Sequence, residues 1–217
     1  MGIAQSLLMF VGLFSMRTAL IALWLAVVGA GFAVTLDYQN TGGSVGRLSQ
    51  QWPAGTAIQP DATRDTLVMF AHPRCPCTRA TIEELNRLMA QAQGRVAVQV
   101  YFFKPGDASD DWLKTDLWRS TAAIPGVSVH ADLDGIEARR FGAETSGFVL
   151  LFDTQGHLLF QGGITASRGH AGDNAGENDI LSLLTEKPAE PPVALAKTPV
   201  YGCSLLNKVC QREEAAK

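Results

Sequence analysis

The stretch "TLVMFAHPRCPCTRATIEEL", Thr66 to Leu85, decides how the chain folds. Its first third, Thr66–His72, is a short apolar run suited to a strand buried on both faces. After it the period changes. Pro76 opens a helix whose apolar stripe is Ile82, Leu85 and Met89, at spacings of three and four, and Gly94 ends it. Between strand and helix stand Cys75, Pro76 and Cys77. A proline disfavours the helical conformation in the residue before it and itself fits the first helical position, where its missing N–H costs nothing. The pattern therefore predicts an extended Cys75 as the cap and Cys77 inside the first turn. A thiolate at Cys75 would face unpaired backbone N–H groups and the positive end of the helix dipole. Such settings lower a cysteine pKa from about 8.5 into the range ~3.5–7.5. Arg74 and Arg79 add to the effect, as does His72 when protonated. Cys75 is the expected nucleophile. Cys77 can pair with it only because the proline breaks the helix, and the small ring so closed is strained. Strain favours an oxidant or isomerase over a structural bond.

Outward from this stretch, strands and helices alternate. "RVAVQVYFF" (95–103) reads as a strand and "SDDWLKTDLWRSTAAI" (109–124) as a helix capped by Ser109. "GVSVHADLDG" (126–135) reads as a third strand and "IEARRFGA" (136–143) as a short helix. "FVLLFDTQGHLLFQGGI" (148–164) is a hairpin turning at Asp153-Thr154-Gln155-Gly156, and "NDILSLLTE" (178–186) a closing helix. The alternation predicts an α/β fold, a central mixed sheet flanked by helices. Ligands in such sheets gather at the C-terminal ends of the parallel strands, where Cys75 and Cys77 lie. The hairpin should return near them, which makes Arg168 and His170 on the loop after it candidates to border the site, with a solvated loop histidine the favoured reading of His170. His130 and His157 read as structural or exposed.

The N-terminal part carries a different message. Between Arg17 and Asp37 lie nineteen uncharged residues, about the ~20 needed to cross a hydrocarbon core. The segment reads as one transmembrane helix with the remainder exported. A cleaved signal peptide is the other reading, with Gly31 and Ala33 small enough for a cleavage site and Met16 an alternative start. The expected division is 1–36 anchor or signal, 37–65 linker, 66–188 α/β domain and 189–217 proline-rich tail. The expected location is a bacterial inner membrane, single-pass, with the domain in the periplasm. There, four cysteines form disulfides or do redox chemistry. Eighteen basic against 21 acidic side chains, with no block of lysine and arginine, argue against a nucleic-acid partner.

The residues quoted above resemble the thioredoxin superfamily. "TLVMFAHPRCPCTRATIEEL" is similar to its strand, active-site loop and first helix. "VSVHADLDGIEARRFGAETSGFVLLFDTQGHLLFQGG" (127–163) resembles the second half of its TlpA-like and peroxiredoxin-like branch, which carries an inserted strand and helix; the RedB-type proteins are a further resemblance. The likeness runs from about Thr66 to Glu186. It implies a thiol–disulfide oxidoreductase acting on protein thiols or disulfides, with no organic cofactor. Two departures stand out. The family motif is Cys-x-x-Cys, so Thr78 occupies the usual second-cysteine position and Cys77 is displaced. The family's cis-proline before the hairpin is replaced by Gly147, which weakens routine dithiol exchange and admits metal.

Cys203 and Cys210 pair with each other to pin the tail, or Cys203 reaches back to resolve a bond on Cys75, or they are free or metal-binding thiols. The alternative function is copper(I) handling by Cys75 and Cys77 with His170 or His72, since soft thiolates suit Cu(I). A peroxidase would want Thr where His72 stands.

Overall fold

The structure is a computed structural model. It describes residues 2–186 and 195–206, with side chains from residue 16 onward. The chain divides into two units, Met1–Asn40 and Thr41–Lys217.

The first unit is one helix, α1 (Gly2–Asn40). Its stretch Met16–Asn40 has a mean hydropathy of 2.3, and apolar side chains such as Leu20, Trp24 and Phe32 are exposed. It is long and apolar enough to cross a membrane, a property that signal sequences share.

The second unit is built on β1 (Asp65–Ala71), α2 (Thr78–Ala92), β2 (Val96–Lys104), α3 (Asp116–Ala122), β3 (Val127–Leu133), α4 (Ile136–Arg140), β4 (Phe148–Phe152), β5 (Leu158–Gly162), α5 (Ala175–Thr185) and β6 (Ala196–Lys197). The sheet order is β3-β2-β1-β4-β5-β6. Strands β1, β2 and β3 are parallel, β4 runs antiparallel to β1 and to β5, and β6 lies parallel to β5. This mixed sheet with flanking helices is a thioredoxin-like fold. The apolar run of β1 has a direct cause: every residue of it is buried. Leu67, Met69 and Ala71 pack with Leu85 and Leu88 of α2 and Ile180 and Leu184 of α5. Val68 and Phe70, pointing the other way, pack with Phe141, Phe148 and Phe152.

Several elements differ from the sequence expectation. The single helix at 109–124 is two pieces, a 3-10 turn Asp110–Leu113 and α3, whose N-cap is Thr115. The Thr115 side chain accepts the Trp118 N–H and so starts a second helix where one was expected to continue. α5 begins at Ala175, three residues early, because Asn174 caps it by accepting the Glu177 N–H. The expected linker is packed as well: Trp52 stands edge-on to Phe141 and Phe152 with ring centroids 5.4 and 4.8 Å away, and Ile58 is buried beside them. Its backbone is tied down by Trp52 N–H to Gly156 O and Leu158 N–H to Gln50 O.

A buried acidic cluster joins α2 to α5. Glu84 accepts the Gly172 N–H at 2.7 Å and pairs with Arg87. Glu177 accepts from Gln91 at 2.8 Å, and Asn174 lies between the two carboxyls. Burial, and then the neighbouring Glu84, push the Glu177 carboxyl up to about 7. Between the ordinary carboxyl value, about 4.3, and 7, native Glu177 keeps a proton that the unfolded chain has released. Unfolding free energy therefore falls as pH rises across that window. Thermal melts should show Tm dropping from pH 4.5 to 7, and Glu177→Gln should flatten the slope. An unchanged slope in that variant would refute the assignment.

Candidate active site: three thiols at one helix start

The turn after β1 is tighter than its sequence suggests. Cys75 N–H donates to His72 O, Thr78 N–H to Cys75 O, and Arg79 N–H to Pro76 O. The N-cap of α2 is Cys77, in helical conformation, rather than Cys75. Pro76 lies inside this turn, its carbonyl accepting the Arg79 N–H, so one turn precedes the helix proper. Cys75 is thereby fully buried while Cys77 is partly exposed.

The third thiol comes from the tail. Val200 and Leu205 are buried, and the segment between them lies against Glu144–Ser146. Ser146 N–H donates to Cys203 O at 2.8 Å, Leu205 N–H donates to Glu144 O at 2.8 Å, and Thr145 faces Ser204 in an antiparallel bridge. Arg168 donates to Gly202 O and to Thr41 O. The result gathers Cys75, Cys77 and Cys203, all as free thiols, with sulfurs within 4.8 Å of one another. Cys210 lies outside the described residues.

This arrangement separates the three ionisations. Cys203 and then Cys77 donate S–H hydrogen bonds to Cys75, which with Thr78 hold the Cys75 thiol well below the usual range despite its burial. Cys203 is pushed up chiefly because it is the donor to Cys75 and to Cys77. Cys77 receives help from Cys203, but its bond to Cys75, its burial and the Cys75 charge push it up overall. The arrangement favours ionisation at Cys75 over Cys77 and Cys203.

Around them, Ser146 is the residue that sequence reasoning missed. Its hydroxyl accepts the His72 N–H at 2.8 Å and lies 2.7 Å from Thr78 Oγ1, while its N–H holds Cys203 O. One side chain ties the end of β1, the start of α2 and the tail together. The only sequence signal was its position beside Gly147. That glycine has φ +90° and donates its N–H to Phe70 O. A proline, locked near φ −65° and without an N–H, could not occupy it, so the backbone takes its own course here.

His72 is wholly buried, between Phe103 and Trp112. Its Nδ1 accepts the Arg74 N–H at 3.1 Å, and its Nε2 has no partner among the described residues. Burial depresses its pKa more than the nearby Cys75 charge raises it. Burial thus opposes the protonation on which its help to Cys75 depends. The Arg74 guanidinium stacks 4.0 Å over Trp112. His170 is exposed, 2.9 Å from Arg168 O through its Nδ1, and is not one of the clustered metal-ligating groups. The loop brings Arg168 to the site and leaves His170 outside it. Cys75 also forms part of the wall of a cleft of about 380 Å³ with Arg74, Pro76, Arg79, Lys114 and Asp116.

Fold and site together define a thioredoxin-like domain with three converging thiols. Its structure is similar to a hypothetical protein from Sinorhizobium meliloti 1021 (TM-score 0.55, 20% identity, 77% of this chain and 97% of that one). It is also similar to an uncharacterized conserved protein from Geobacillus kaustophilus (TM-score 0.53, 16% identity, 77% and 93%). The exposed lipoprotein thioredoxin of Streptococcus pneumoniae aligns at TM-score 0.42, 17% identity, over 58% and 86%. No family model and no curated protein matches the sequence.

Proposed function

We propose that the chain is a membrane-tethered, exported thiol–disulfide oxidoreductase acting on protein thiols and disulfides. The observation that carries this reading is a buried thiol at a helix start, its ionisation favoured by hydrogen bonds, with two further thiols in reach of it. The Cys75 thiolate attacks one sulfur of a substrate disulfide, forming a mixed disulfide and releasing the other sulfur as a thiolate. Cys77 or Cys203 then loses its proton and attacks Cys75, freeing the substrate dithiol. The substrate gains two electrons and the protein keeps a disulfide, which a dithiol reductant reopens. Each step can run backwards. The stabilised Cys75 thiolate favours the reduced protein, which makes the internal disulfide a good oxidant. α1 supplies the tether, with the domain on the exported side of a bacterial inner membrane, where thiol exchange is in demand.

The test is a redox titration of the full chain in detergent, with each cysteine read by differential alkylation and mass spectrometry. A reversible disulfide including Cys75, with a potential above about −300 mV, the upper bound for structural bonds, is the expected result. Thiols that stay reduced across the range would refute the reading.

A further inference from the structure

We propose that Cys75, Cys77 and Cys203, in the reduced chain, form a three-coordinate thiolate site for one copper(I) ion. The site shares its cysteines with the redox reading above but differs from the two-cysteine, His170 arrangement that the sequence suggested.

The geometry comes first. Three ligands in a plane around a metal, at thiolate bond lengths of about 2.3 Å, have sulfurs about 4 Å apart. The three sulfurs here lie within 4.8 Å of one another, so contraction of less than an ångström closes the ring. Two of the three sit on one turn, and the third is held by the Ser146 N–H on its own carbonyl and by the Leu205 N–H, two residues on, donating to Glu144 O, so the donor set is already assembled.

Ligand chemistry then selects the ion. All three donors are soft sulfurs, which favour Cu(I). Structural zinc takes four ligands, and among the described residues no histidine, carboxylate or further thiol joins the group. His72, whose Nε2 is buried and unpartnered, is not a member of it.

Charge is the third consideration. Three thiolates and one Cu(I) carry a net charge of −2. The N-terminus of the fifteen-residue α2 adjoins the site, and the Arg168 guanidinium is close enough to Cys77 to favour its ionised form. Binding leaves all three cysteines as thiolates, so the protons they carry are released to solvent. No electron is transferred. Cys77 and Cys203 are both partly exposed, which leaves the ion a way in.

The experiment uses the reduced full chain in detergent, without oxygen, with Cu(I) supplied in competition with a chromogenic Cu(I) chelator. One Cu(I) should be withheld per chain, and X-ray absorption should show three sulfur neighbours. Cys203→Ser should weaken binding more than ~100-fold, beyond what loss of an outer-shell contact costs. His170→Ala and Cys210→Ser should bind as the parent does. No withheld copper, undiminished binding by Cys203→Ser, or weakened binding by Cys210→Ser or His170→Ala would overturn the site. So would a two- or four-coordinate copper spectrum, a reading on the parent chain that does not depend on any variant folding. The redox titration fails separately: a chain that cycles its disulfide yet yields all copper to the chelator loses only this site.

Discussion

Cys75→Ser should abolish thiol–disulfide exchange, with a loss of ~10³-fold or more. The attacking species in exchange is the thiolate, and the site stabilises it at Cys75 alone among the described cysteines while holding Cys77 and Cys203 as thiols. Removing Cys75 also removes the charge that raises its neighbours, so the residual activity would report what they do unaided. The partner substitutions should behave differently. With Cys77→Ser, oxidation should give a Cys75–Cys203 disulfide, and with Cys203→Ser a Cys75–Cys77 disulfide, each identified by peptide mapping. A direct check of the ionisation is ultraviolet thiolate absorbance against pH. Because Cys75 is held low, the parent should keep its signal below pH 7, and Cys75→Ser should lose it. Retention of that signal in Cys75→Ser would place the thiolate elsewhere.

Gly202→Ala should free Cys203 from the site. A Cβ on Gly202 would lie 1.9 Å from Ser146 O, a backbone atom that cannot swing aside, and 3.2 Å from the Thr145 side chain. The tail has to lift, and lifting breaks the Ser146 bond to Cys203 O and the Arg168 bond to Gly202 O together. Overpacking of this kind costs about 1–3 kcal/mol, which corresponds to roughly 5–150-fold more of the open tail. Alkylation of Cys203 should accelerate by about that factor, and because Val200 and Leu205 on either side of it pack with Phe70 and Phe148, Tm should fall as well. Cys75 should lose its strongest hydrogen bond and its pKa should rise. Unaltered Cys203 labelling in this variant would show that the tail does not hold the thiol in place.

Much of the fold was legible because its causes are local. Burial of β1 on both faces writes a continuous apolar run into Thr66–Ala71, and a half-buried α2 writes its stripe into Ile82 and Leu85. The alternation of such runs is enough to predict a mixed sheet with helices, and a Cys-Pro-Cys between strand and helix marks where chemistry sits. The break at Lys114–Thr115 was harder to read, because a threonine can cap a helix or continue one, and the choice depends on whether its side chain finds the Trp118 N–H.

By itself, then, the sequence determined the α/β class, the strand–turn–helix that carries Cys75 and Cys77, and an N-terminal segment apolar enough to span a membrane. Only the tertiary structure decided which partners meet at the site. Cys203 is more than a hundred residues from Cys75, and Ser146 joins three segments through single hydrogen bonds. Trp52 and Ile58 turn a stretch with the composition of a linker into part of the packed domain. His170, as near in sequence to Arg168 as Cys77 is to Cys75, faces solvent. Periodicity records which face of an element is buried, but a contact between distant segments leaves no period in either, so the third thiol appears only once the tail is laid against Glu144–Ser146.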